Sequence, residues 1–229
     1  MVKIREKKVS FTMPKENSPE SDFQNLKTLY TVGHSNWEYP SFIQLVKKWD
    51  LELLVDIRSR PHSSRFPQFS QPGFEAQLRA DGIAYLFLGE ELGGRPDDPD
   101  AYRSDGLVDY RARRKSYAFR AGVGRLEAEL EKRCAALMCA EEDPLECHRF
   151  LMVCPELVTM GLRPLHIRKG APPEAQETVE NRLLAANGFG SVAQDTLFPE
   201  MRSEALEKAY SLQAEKFAFR VDPLAVDRW

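Results

Sequence analysis

The sequence predicts an α/β protein: an open, mostly parallel sheet of four to five strands with helices on both faces, plus a helical C-terminal extension. Three observations carry this reading. Short apolar, β-favouring runs alternate with stretches of helical period between residues 28 and 170. Strand, helix and strand recur within about 30 residues, the span of a βαβ unit. Beyond residue 170 the pattern is helical and polar.

Residues 1–26 are polar, contain Pro14, Ser18 and Pro19, and hold no sustained period, so a flexible arm is expected there. The apolar run 29–32, ended by Gly33, reads as a buried first strand. Residues 39–49 carry Phe42, Leu45, Val46 and Trp49 at helical spacing, with Asn36 or Ser41 as the expected cap. Residues 51–57 (LELLVDI) form the second strand, 74–78 a short amphipathic helix and 84–88 the third strand. After a loop rich in Gly, Pro and Asp, residues 117–132 place Phe119, Val123, Leu126 and Leu130 on one helix face. Residues 135–140 read as a fully buried fourth strand, 148–160 as a helix and 164–168 as a final short strand. The expected organisation is an arm over 1–26, an α/β domain over 28–170 and a helical extension over 171–229, broken near Gly188 and Gly190.

The 32 basic and 35 acidic residues nearly cancel, which excludes a protein that coats nucleic acid by bulk charge and leaves only a local patch. No apolar run reaches the roughly 18 residues of a membrane helix. The N-terminus lacks a signal-peptide pattern, so a cytoplasmic location and no membrane contact are expected. All four cysteines, Cys134, Cys139, Cys147 and Cys154, lie close together and are expected as reduced thiols, although sequence leaves any pairing open.

In an open parallel sheet ligands bind beyond the carboxyl ends of the strands. There the sequence places His34 and Ser35; Asp56, Arg58, Arg60, His62 and Arg65; Glu90 and Glu91; then Cys139, Glu141, Cys147, His148 and Arg149. Solvated loops also carry charges, but four successive strand ends rich in versatile residues point to a shared pocket. In LMCAEEDPLECHRFLM a cysteine opens a helix beside a histidine and an arginine, a setting that favours thiolate and binds anions. Cys147 is therefore the candidate nucleophile and Arg149 the candidate anion ligand. The bland reading of Cys147 is a small packing residue, and Cys139 reads as structural. The Cys-x7-Cys-His spacing matches no usual zinc knuckle, so neither a metal nor another cofactor is implied.

His34 and Asp56 are read as an acid/base pair across neighbouring strand ends, with a structural histidine as the alternative. The loop 58–69 interleaves Arg58, Arg60 and Arg65 with Phe66 and Phe69, suited to phosphates and bases. Arg111, Arg113, Arg114 and Lys115 form a second basic cluster of the same potential. Ion pairing with Asp56, Glu90 or Glu91 is the competing role for any single arginine.

The strings GHS (33–35), DIRSRP (56–61), SRFPQF (64–69) and CHR (147–149), in this order and spacing, resemble domain-of-unknown-function family 488 over roughly residues 28–167, and more loosely beyond. The resemblance implies a Rossmann-like α/β domain whose shared residues include Gly33, His34, Ser35, Asp56, Arg58, Pro61, Cys139, Glu141, Cys147, His148 and Arg149. It implies no reaction. Separately, Gln194, Leu197 and Phe198 in QDTLF resemble the Gln-x-x-Leu-Phe peptide that docks bacterial replication and repair proteins onto the sliding clamp. Leu197 and Phe198 equally suit a staple onto the core. The leading expectation is an enzyme of DNA metabolism or repair acting on a phosphate-bearing nucleotide, DNA or RNA, with Cys147, His34, Asp56, Glu141 and His148 near the reacting group. Ser35, Arg58, Arg60, Arg65 and Arg149 would hold the phosphate. The alternatives are a non-catalytic nucleic-acid-binding adaptor and a small-molecule thiol- or metal-dependent enzyme.

Overall fold

A computed structural model describes residues 27–193 and 199–221; the arm expected over 1–26 and the clamp-like segment 194–198 lie outside the described residues. In chain order the elements are β1 (Lys27–Gly33), α1 (Tyr39–Lys48), β2 (Leu53–Asp56), α2 (Gly73–Ala80), β3 (Ala84–Phe87), α3 (Gly89–Leu92), α4 (Tyr110–Lys115), α5 (Tyr117–Leu130) and β4 (Ala135–Cys139). A π-type turn (Arg149–Val153) then runs into α6 (Cys154–Thr159), followed by β5 (Leu162–Ile167), β6 (Glu174–Ala175), α7 (Gln176–Ala186), α8 (Gly190–Ala193) and α9 (Pro199–Phe217). The strands form one six-stranded sheet in the order β3-β2-β4-β1-β5-β6. β1 to β5 run parallel, and only the two-residue edge strand β6 is antiparallel.

Side chains alternate across a strand, so one apolar run feeds two cores. Ala135, Leu137 and Cys139 of β4 face one cluster, while Ala136 and Met138 face the other. The first cluster takes Phe119, Val123, Leu126 and Leu130 from α5, Val179, Leu183 and Leu184 from α7, and Ala205 and Ala209 from α9. The second takes Phe42, Ile43 and Val46 from α1 and Phe74 and Leu78 from α2. Each fully buried Leu or Phe of this kind contributes about 1.5–3 kcal/mol. The C-terminal helices thus share a core with the sheet, which the amphipathic pattern alone did not convey.

Three local expectations need correction. β2 is not beside β1, because β4 lies between them. Neither Asn36 nor Ser41 caps α1: its N-cap is Glu38, without a side-chain cap bond, and Pro40 supplies the preset first-turn geometry. The basic run at Arg111 is itself a helix, capped by Asp109, and Ser116 caps α5 in turn. Among the described residues no helix is long and apolar enough to cross a membrane.

The ends of β1 and β4 meet at Gly33. A Cβ there would lie 1.8 Å from the Glu141 carbonyl oxygen, a backbone atom that cannot swing aside. Gly33→Ala is therefore expected to lower the unfolding free energy by about 1–3 kcal/mol, the usual range for overpacking; a denaturation midpoint equal to wild type would refute this close approach.

Candidate functional site

The strand ends are organised by a buried ion pair. Asp56 ends β2 with no exposed surface, and Arg58, two residues on, turns back onto it. Arg58 Nε and Nη2 donate to the two carboxylate oxygens at 2.9 and 2.5 Å, and the Arg58 backbone N–H adds a third bond. Tyr85 on β3 donates its hydroxyl to the same carboxylate at 2.8 Å. Arg58 Nη1 reaches across to His34 Nε2 at 3.1 Å, and Nη2 also donates to the Phe69 carbonyl. Since a guanidinium only donates, His34 Nε2 accepts, and His34 Nδ1–H donates to the Ser35 carbonyl at 3.0 Å. The imidazole is stacked on Phe69 at 4.4 Å. Burial, with Arg58 beside it, lowers its pKa to about 4.

The expected His34–Asp56 acid/base pair is corrected by this geometry. With β4 between their strands, a long arginine bridges the two residues, occupying the lone pair of one and both oxygens of the other. Each is held by Arg58, and the two do not bond to each other. Tyr85, which sequence reasoning did not single out, completes the carboxylate's shell; a polar tip within the apolar run AYLF was the available signal. Burial and Asp56 push its phenol pKa up.

A second cluster forms where β4 meets the helix that begins at His148. Cys139 Sγ and Cys147 Sγ are 2.7 Å apart, and both cysteines are free. Cys147 precedes the helix, its carbonyl accepts from Phe150 and Leu151, and its sulfur accepts from the Arg149 backbone N–H at 3.4 Å. His148 donates Nε2–H to the Ile57 carbonyl at 2.9 Å, which leaves Nδ1 to accept from Cys147, 3.7 Å away. Glu141 offers its carboxylate to the same place: ligand atoms of Cys139, Glu141 and Cys147 lie within 4.8 Å of one another. Burial alone would raise the Glu141 pKa, but His148 and hydrogen bonds from the thiols and backbone outweigh it and hold the carboxyl below its ordinary value.

Arg149 does not face the solvent as an anion ligand. It is fully buried, and its guanidinium donates to Cys139 Sγ at 2.6 Å and to the carbonyls of Glu141 and Glu142 at 2.6 and 2.8 Å. The side chain enters the core behind β4 instead. Cys139, read from sequence as structural, thereby joins Cys147 and Arg149 in one cluster.

Above both clusters opens a cleft of about 760 Å³ at the carboxyl ends of the strands. His34, Ser35, Arg58, Arg60, Arg65, Glu141 and His148 all line it, as expected, whereas Asp56, Cys147 and Arg149 lie beneath its walls. Arg95, one of the residues that follow the third strand end, and Arg220, which sequence reasoning did not single out, join it, giving five arginines with Glu141 and Glu146. Arg95 lies 4.7 Å over the Phe219 ring and Arg65 5.4 Å over that of Phe66. Gly94 lets this wall approach, for a Cβ there would meet the His148 ring at 2.9 Å. The second basic cluster divides: Arg111, Arg114 and Lys115 line another cleft, of about 960 Å³, with Arg103 and Arg120 and one face of α9. Arg113 turns inward onto the carbonyls of Glu90 and Glu91, and Arg111 pairs with Glu207 on α9.

Fold and site together define an α/β protein with a cysteine–histidine–arginine cluster beneath an arginine-lined cleft. The model of the family described as Domain of unknown function DUF488 matches residues 38–153, half of the chain, and the chain belongs to that family. The match holds both the Asp56–Arg58 pair and the Cys139–Arg149 cluster, while His34 and Ser35 precede it. No curated protein and no solved structure matches the chain.

His166 is a second buried neutral histidine, between Thr31 and Gln176, with its pKa lowered to about 3 by burial and by Arg149. Both histidines take up protons near their ordinary value of 6.5 once unfolded. Between pH 6.5 and about 4 the unfolded chain binds more protons, so stability is full above that window and falls as pH is lowered through it, by up to about 1.4 kcal/mol per pH unit for each histidine. Chemical denaturation across the window should show this slope, and His34→Gln should reduce it by one proton; a flat profile would contradict the neutral buried pair.

Proposed function

We propose that the protein is an enzyme acting on a phosphate-bearing substrate, a nucleotide or a nucleic-acid segment, held in the arginine-lined cleft. The observation that carries this is the arginine content of the lining at the carboxyl ends of a parallel sheet: five arginines and two acids, with Arg58 already paired to Asp56 and Arg220 to Asp105. Arginine forks suit phosphate oxygens, and Phe66, Phe219 and Tyr110 offer faces on which a base can stack. The parallel β1–β5 core also supports the Rossmann-like reading of the sheet. Beneath the cleft, Cys147, His148 and the Ile57 carbonyl stand as nucleophile, base and orienting group. The clamp-like residues Gln194, Leu197 and Phe198 favour a setting in DNA metabolism.

A second reading, a non-catalytic nucleic-acid-binding adaptor, is favoured by the 1% exposure of Cys147. It expects Cys147→Ser to bind nucleic acid as wild type does.

Arg65 and Arg95 are exposed, so replacing them leaves the core intact. In fluorescence anisotropy titrations with a labelled single-stranded oligonucleotide, competed by mononucleotides, Arg65→Ala/Arg95→Ala should weaken binding by about tenfold or more. It should also flatten the salt dependence by roughly 0.7 for each lost phosphate contact. Equal binding by the double variant and wild type, or no binding of either ligand, would remove the phosphate reading.

A further inference from the structure

The buried guanidinium of Arg149 has no carboxylate partner. Among the described residues none lies within ion-pair distance of it; its hydrogen bonds go to two carbonyls and the Cys139 sulfur, and its Nε has no partner. A fully buried cation needs an anion close by. The Glu141 carboxylate stands within 4.8 Å of both sulfurs, and the sulfurs themselves crowd the cation: Cys139 touches the guanidinium, and 2.7 Å further on Cys147 receives the Arg149 backbone N–H at the start of a helix. Burial and the bond with Cys147 push the Cys139 thiol well above its ordinary value. A metal cation is the less favoured occupant, because a guanidinium nitrogen already sits 2.6 Å from one of the sulfurs.

We propose that Cys139 and Cys147 form a redox-active dithiol, which a hydroperoxide oxidises to an intramolecular disulfide with Cys147 as the attacking sulfur and Cys139 as the resolving thiol. The Cys147 thiolate attacks the terminal peroxide oxygen; an S–O bond forms, the O–O bond breaks, and the alkoxide or hydroxide leaves with a proton from solvent. Cys139 then attacks the Cys147 sulfenic acid, forms the S–S bond, and its proton leaves with the expelled hydroxide as water. The two thiols lose two electrons and the peroxide gains them. Cys147 lies behind Glu141 and His148 with 1% exposure, so the oxidant is a small hydroperoxide and not a protein disulfide. None of this depends on what the cleft binds.

The test treats the full chain with hydrogen peroxide, blocks remaining thiols under denaturing conditions and maps the cysteines by mass spectrometry. Cleavage after glutamate separates Cys139 from Cys147, since Glu141, Glu142 and Glu146 lie between them, so the two peptides stay joined only if bridged. The expected product is the bridged pair, lighter by two hydrogens and reopened by dithiothreitol. Cys139→Ser should halt at a sulfenic acid on Cys147 that dimedone captures, and Cys147→Ser should consume peroxide more than about tenfold more slowly. Both cysteines still free after peroxide, a bridge to Cys134 or Cys154 instead, or a stoichiometric metal whose chelation frees both thiols would overturn the proposal. Should either variant fail to fold, the wild-type map decides alone.

Discussion

A carboxylate and a guanidinium that share one buried place hold the strand ends together. Asp56 and Arg58 are two residues apart, yet their contacts join three strands and a loop: Tyr85 from β3, His34 from β1 and the Phe69 carbonyl. Removing one partner of such a pair costs about 3–5 kcal/mol, because the other is left charged and dry. The loop that carries Arg60 and Arg65 into the cleft is anchored through Phe69, so the geometry of the cleft rim depends on the same pair.

Arg149 plays the matching part on the other side of β4. It draws the Glu141 and Glu142 carbonyls and the Cys139 sulfur around one charge, which sets where Cys147 and His148 start their helix. The site therefore has two layers. Exposed arginines and aromatic rings line the cleft, and a buried layer of paired charges and sulfur fixes what lies under them.

Much of this was legible in the sequence because period and strand-end chemistry are local signals. The apolar runs at β1, β2, β3, β4 and β5 are found within a few residues of their expected places, and the polar strings after them converge on one cleft. The rest depends on long-range facts that no window contains. The insertion of β4 between β1 and β2 turned an expected His34–Asp56 contact into a bridge by Arg58. Arg149 faces the core where an anion ligand was expected, and Arg113 was read as surface charge although it binds two carbonyls inside. Arg220 reaches the cleft from the C-terminal segment, far from any strand end, so nothing in its neighbourhood marks it.

The strand order also governs how the chain assembles. β1 pairs with β4 and β5 and never with β2, so the first strand, helix and strand to leave the ribosome have no mutual ladder to form. Their sheet closes only when β4 arrives some hundred residues after β1, and that strand brings Cys139 with it. Non-local pairing of this kind slows folding and leaves strand edges open meanwhile. A nascent chain halted before β4 would thus hold Arg58, Arg60, Arg65 and Arg95 without Glu141 and His148 across the cleft, and without Phe219 and Arg220.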